Sequence, residues 1–124
     1  MTEVRIKRAY DPPWPEDGVR VLVDRLWPRG LKRSEAAIDV WLKDVAPSAE
    51  LRRWFGHDPA KWAEFQRRYR AELTHNPAAG KLRGLMEGGR DVTLLFGAKD
   101  AEHNNAVVLR DFCGRDRGDQ TAGT

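Results

Sequence analysis

The chain has 124 residues, 40% of them hydrophobic, which supplies one core and not two. Lys and Arg number 22 against 19 Asp and Glu; the net charge of +3 leans toward anionic partners but falls short of a dedicated nucleic-acid binder. One cysteine, Cys113, excludes an intrachain disulfide and any multi-cysteine zinc site, and it suits a reducing compartment. No apolar signal core opens MTEVRIKRAYD, and no run approaches the roughly 18 apolar residues of a membrane helix. A soluble, cytoplasmic protein with no membrane partner is expected.

Residues 4–8, VRIKR, alternate Val4 and Ile6 with Arg5, Lys7 and Arg8, which predicts a strand with one buried face. The prolines and glycine of DPPWPEDG (11–18) forbid a regular helix there. Residues 19–24, VRVLVD, predict a second, more central strand. Four helix starts follow. Ser34 can cap EAAIDVWLKDV and Ser48 can cap AELRRWFG, while Asp58-Pro59 and Asn76-Pro77 set a capping side chain ahead of proline in the first helical position. In the third helix Trp62, Phe65, Tyr69 and Leu73 form one apolar stripe, with Arg67, Arg68 and Arg70 mostly outside it.

Residues 92–98, VTLLFGA, predict a third strand covered on both faces. Asp100 can cap a last helix, AEHNNAVVLRDFC. The segment 114–124 has no apolar residue but Ala122 and predicts a disordered tail. The expected fold is α/β: a small, largely parallel sheet of about three strands packed with four to five helices, one domain over 4–113. The connection from the first strand to the second barely reaches the roughly ten residues of a parallel crossover, which leaves an antiparallel pairing of those two strands open.

In open α/β sheets, ligands sit beyond the carboxyl ends of the strands. The first strand ends in Arg8, the second in Asp24, Arg25 and Arg29, and the third in Lys99 and Asp100, followed by Asn104. If the strands run the same way, these residues converge on one rim. Arg25 and Arg29 can clamp a carboxylate or phosphate, and the helix after Asp100 offers free N–H groups. Asp24 and Arg25 either orient such a cluster or close the core edge as a structural ion pair. Trp41, Trp54 and Trp62 fall at core spacing. Trp14 and Trp27 lie in loops, as core residues or stacking surfaces. His57 and His75 read as solvated residues, and Cys113 as a small buried hydrophobe. No cofactor motif, nucleophile triad or metal-ligand spacing stands out.

IKRAYD, DGVRVLVDRLWPRGLK, WLKDVAPSAELRRWF, EFQRRYRAEL, TLLFGAKD and NNAVVL, in that order, closely resemble the YeaO-like family of bacterial proteins, within the domain-of-unknown-function group numbered 488. The resemblance spans residues 4 to about 112 and implies a small cytoplasmic α/β protein, with no mechanism attached. Its pattern falls on Arg8, Tyr10, Asp11, Asp24, Arg25, Trp27, Arg29, Arg52, Lys99, Asp100 and Asn104 among others. Phe96 stands where a tyrosine is common and Asn105 where a histidine is often seen. Longer relatives carry a cysteine at the end of the last strand and a Cys-His-Arg run after it. This chain has neither, so the resemblance implies no thiol or metal chemistry here.

The sequence thus supports a site for a phosphate- or carboxylate-bearing small molecule at Arg8, Asp24, Arg25, Arg29, Lys99, Asp100 and Asn104. The alternative is a nucleic-acid-binding or protein-interaction module without catalysis. A basic stripe would favour nucleic acid; an apolar patch around Trp14 or Trp27 would favour a protein partner.

Overall fold

The computed structural model describes residues 4–122, with side chains to 113. Its sheet is four-stranded and wholly parallel, in the order β1-β4-β2-β3. The strands are β1 (Val4–Arg8), β2 (Val19–Leu22), β3 (Val40–Trp41) and β4 (Val92–Phe96). β4 sits between β1 and β2, pairing Ile6 with Leu94 on one side and Val21 with Leu94 on the other. The two N-terminal strands therefore do not pair at all, and the antiparallel alternative falls away. Residues 9–18 reach from the end of β1 to the start of β2 because an extended chain spans roughly 33 Å in ten residues. Two strand spacings and one strand length together need only about 20 Å.

The strand missing from the sequence reading is β3. EAAIDVWLKDV looks helical, but the helix is a single turn, α1 (Arg33–Ala36), ended by Ala37 in the left-handed region at φ 50°. Pairing with β2 overrides the local pattern. Asp39 N–H donates to the Arg20 carbonyl at 2.9 Å, the Asp39 carboxylate accepts from Arg20 N–H at 2.9 Å, and Leu42 N–H donates to the Leu22 carbonyl at 2.9 Å. β-branched Ile38 and Val40 suit that extended path.

The other helices start close to where their caps predict. In α2 (Ala49–Phe55) the Ser48 hydroxyl accepts from Leu51 N–H at 3.1 Å and donates to Glu72 at 2.6 Å, which ties α2 to α3 (Trp62–Thr74). Asp58 caps a short 3-10 turn, Pro59–Lys61, that leads into α3. Asn76 caps α4 (Pro77–Met86). The last helix, α5 (Asn105–Ala122), starts later than expected: Asp100 caps a bend, and the Asn104 side-chain oxygen accepts from Val107 N–H at 3.1 Å. α5 carries the backbone of the segment expected as a disordered tail as far as Ala122, while residues 123–124 and the side chains from 114 onward lie outside the described residues.

The two sheet faces differ. Val19, Val21, Val92, Leu94 and Phe96 meet α2 to α5 in the main core with Phe65, Tyr69, Leu82 and Leu109. On the opposite face, Ala9, Leu22 and Leu95 form a smaller cluster with Trp27, Leu31, Ile38 and Trp41. That face also holds charge. Arg20, only 3% exposed, donates to the Asp17 carboxylate at 2.6 Å and to the carbonyls of Ala37, Ala36 and Asp11. Lys7 reaches the same carboxylate at 3.0 Å, and Trp14 N–H donates to it at 3.0 Å. Burial pushes the Asp17 carboxyl up, but these donors outweigh it and hold it below the usual carboxylate range. Gly18 makes the turn into β2 at φ 63°, where a Cβ would stand 2.1 Å from the Asp91 carbonyl oxygen. Among the described residues, no helix is long and apolar enough to cross a membrane.

Candidate functional site

The end of β2 poses a packing problem. Asp24 must leave a fully buried run, Val21-Leu22-Val23, without stranding its carboxylate. Its backbone carbonyl accepts from Trp41 Nε1 at 2.8 Å, which fixes the strand end beside β3. Its carboxylate turns toward β4 and accepts from Gly97 N–H at 2.8 Å. The approach is close: a Cβ at Gly97 would lie 3.2 Å from Asp24 Oδ2. The Asn105 side-chain amide also serves the carboxylate and donates to the Val23 carbonyl at 3.0 Å. Burial raises the Asp24 carboxyl above its usual range; Gly97 N–H, the Asn105 amide, and the charges of Arg52 and His57 oppose that without cancelling it.

Asp24 lines a cavity of about 370 Å³ beyond the carboxyl ends of β2 and β4, within the usual range for small-molecule sites. Phe55 and Phe65, stacked with ring centroids 4.2 Å apart, contribute to its wall with Leu26, Ala46 and Pro47. The basic side chains in its lining are Arg25, Arg52 and His57. Arg52 projects from α2. Its Nε is buried and, among the described residues, has no hydrogen-bond partner. His57 follows Gly56, and both lie in the left-handed region, at φ 57° and 53°. For a non-glycine residue that conformation costs roughly 1–2 kcal/mol, and here it belongs to a residue lining the cavity.

Three of the seven residues expected at the site come together here: Asp24, Arg25 and Asn104. Arg25 is exposed and, among the described residues, makes no hydrogen bond or ion pair, so it does not close the core as the partner of Asp24. Asn104 is buried with both amide ends engaged, donating to the Asp100 carbonyl and accepting from Val107 N–H. The other four lie outside the cavity lining. Arg8 donates through Nε to the Ala98 carbonyl at 3.2 Å and stacks on Tyr10. Arg29 is exposed, its carbonyl accepting from the Tyr10 hydroxyl at 2.8 Å. Lys99 is exposed. Asp100 accepts from the N–H groups of Glu102 and His103 and pairs with the His103 ring at 2.9 Å; the Glu102 N–H first, then the His103 ring, hold its carboxyl below the usual range.

Arg52, His57 and Asn105, which are not among the seven, also line the cavity. Arg52 follows Leu51 in a helix whose Leu51 and Phe55 face the core, so its stem has to run along the core edge. Read alone, that spacing does not separate Arg52 from Arg53. Of the loop tryptophans, Trp27 packs: its Nε1 donates to the Leu31 carbonyl at 2.7 Å and its ring meets Trp41 edge-on. Trp14 is 61% exposed, with Lys7 over its ring. Among the described residues, no cluster of His, Cys, Asp and Glu could hold a metal ion.

A parallel α/β domain with a mixed polar and aromatic cavity at its strand ends is the class that fold and site define. Within that class, the chain belongs to the family described as the inactive DUF488-N3 subclade, matched over residues 3–122. It is 42% identical over 109 residues to the uncharacterized protein YeaO of Escherichia coli K12, covering 88% of this chain and 95% of that one. It is 43% identical over 108 residues to the uncharacterized protein Rv3073c of Mycobacterium tuberculosis H37Rv, covering 87% and 91%. No solved structure matches the chain.

Proposed function

We propose that the cavity beyond β2 and β4 binds a small organic molecule carrying a carboxylate or phosphate. The observation that carries this reading is the Arg52 guanidinium, whose buried Nε lacks a partner in the lining of a cavity. That Nε is sealed from solvent, so a ligand oxygen would accept from the terminal nitrogens of a guanidinium that forms no ion pair among the described residues. Arg25 adds charge and His57 an imidazole in the same lining, and the aromatic pair gives a ligand body something to pack on. Of the expected cations, Arg25 stays in this proposal, while Arg8, Arg29 and Lys99 leave it. The family's description as inactive favours binding over turnover.

The test is calorimetric titration with phosphate, acetate, succinate and phenyl phosphate. Binding should weaken modestly as salt rises, and Arg52→Gln should reduce it at least tenfold. Equal binding by Arg52→Gln, or no binding of any carboxylate- or phosphate-bearing compound, would reject the reading. One observation favours the alternative of an interaction module: Trp14, exposed beside Lys7, Pro12 and Glu16 in a second depression of about 520 Å³.

A further inference from the structure

Asp24 and Arg52 carry opposite charges, line the same cavity, and sense each other electrostatically. Yet among the described residues they form no ion pair, although closing the gap would serve both groups. Asp24 is held back by Gly97 N–H and Asn105, which fix its carboxylate against β4 and α5. Arg52 is held on α2. The protein thus holds two opposite charges in one cavity lining without pairing them.

We infer that this gap is built for a zwitterion, and that the ligand is a free α-amino acid whose carboxylate meets Arg52 and whose ammonium meets Asp24. The inference rests on the anion-site reading above and adds a second, cationic end to the ligand. A carboxylate offers about four lone-pair positions, and Gly97 N–H and the Asn105 amide do not fill them. A purely anionic ligand beside Arg52 would also face the Asp24 carboxylate; an ammonium removes that conflict. It also supplies the positive partner a desolvated carboxyl needs, in line with the raised Asp24 carboxyl. Asn104 is buried, and its amide already makes one hydrogen bond at each end within the chain. Phe55, Phe65 and Leu26 leave an apolar space for the amino acid's side chain.

The facing charged and titratable groups are few. α2 brings Arg52, the turn after it His57, the loop after β2 Arg25, and α3 the buried Tyr69; the end of β4 and α5 bring Gly97 N–H and the Asn105 amide.

The experiment is calorimetric titration of the full chain with two matched sets: leucine, 4-methylpentanoate and isopentylamine; phenylalanine, 3-phenylpropionate and 2-phenylethylamine. In at least one set the amino acid should bind about tenfold or more tighter than its carboxylate, one charge-assisted contact's worth, and the amine should bind weakest. Asp24→Asn should bring amino acid and carboxylate within about twofold of each other without weakening the carboxylate, an outcome a merely structural Asp24 would not give. Equal binding of carboxylate and amino acid to the natural chain in both sets overturns the zwitterion and leaves the anion reading standing. So does binding of phosphate or succinate without any amino acid. Silence from every compound, simple anions included, overturns both.

Discussion

Replacing Arg20 with Met should destabilise the domain far more than its strand position suggests. The substitution keeps most of the buried volume and removes a guanidinium that is 4% exposed. Asp17, itself 2% exposed at its side chain, would keep only Lys7 and Trp14 N–H, and the carbonyls of Asp11, Ala36 and Ala37 would lose their donor. Breaking a buried pair costs about 3–5 kcal/mol, and the remaining contact to Lys7 places the loss near the lower end. Domains of this size are stable by roughly 5–15 kcal/mol, so the change removes a large fraction of the total. In a thermal melt it corresponds to a fall of about 10–15 °C. Urea unfolding of Arg20→Met, Asp17→Asn and the double variant completes the cycle, and the double variant should lose less than the sum of the singles. A melting point within about 2 °C of the natural chain would refute the idea that this network holds the loop face to the sheet.

Asp17 and Asp24 should give opposite pH dependences. The lowered Asp17 carboxyl contributes stability above its unfolded value that is lost as pH falls through its folded one, so Asp17→Asn should flatten acid unfolding. The raised Asp24 carboxyl costs stability as pH rises through its folded value, so Asp24→Asn should hold or raise the melting temperature at neutral pH; a marked fall there would show that the charge stabilises the fold. Gly18→Ala meets both a positive φ and the Asp91 carbonyl, and should lose at least about 1–3 kcal/mol in urea unfolding. Tyr69→Phe leaves the buried Val45 carbonyl without its 2.5 Å hydroxyl donor, for a loss of about 1–3 kcal/mol by the same measurement.

Much of the scaffold is legible in the chain because its signals are local. Ser48, Asp58 and Asn76 cap where their side chains predict, and the Trp62, Phe65, Tyr69, Leu73 stripe packs on the core. β3 is illegible for the opposite reason. Its two residues are extended only because β2 offers a free edge, and that is a tertiary fact. Arg20 sits in an apolar run that reads as core, and its buried partner Asp17 reads as part of a proline-rich loop. The rule that sites lie at the carboxyl ends of parallel strands finds Asp24, Arg25 and Asn104. It does not find Arg52 and His57, because the rule counts strand ends and these residues arrive from a helix and the turn after it.

Amide chemical shifts of the nitrogen-15-labelled chain, followed as leucine, succinate and phosphate are added in turn, would locate the ligand. If the cavity is the binding site, the shifts concentrate at residues 24–26, 52–57, 97–98 and 104–105, with the Gly97 amide among the largest because it donates to Asp24. Shifts centred on Trp14 and β1 would instead move function to the exposed face beside Lys7.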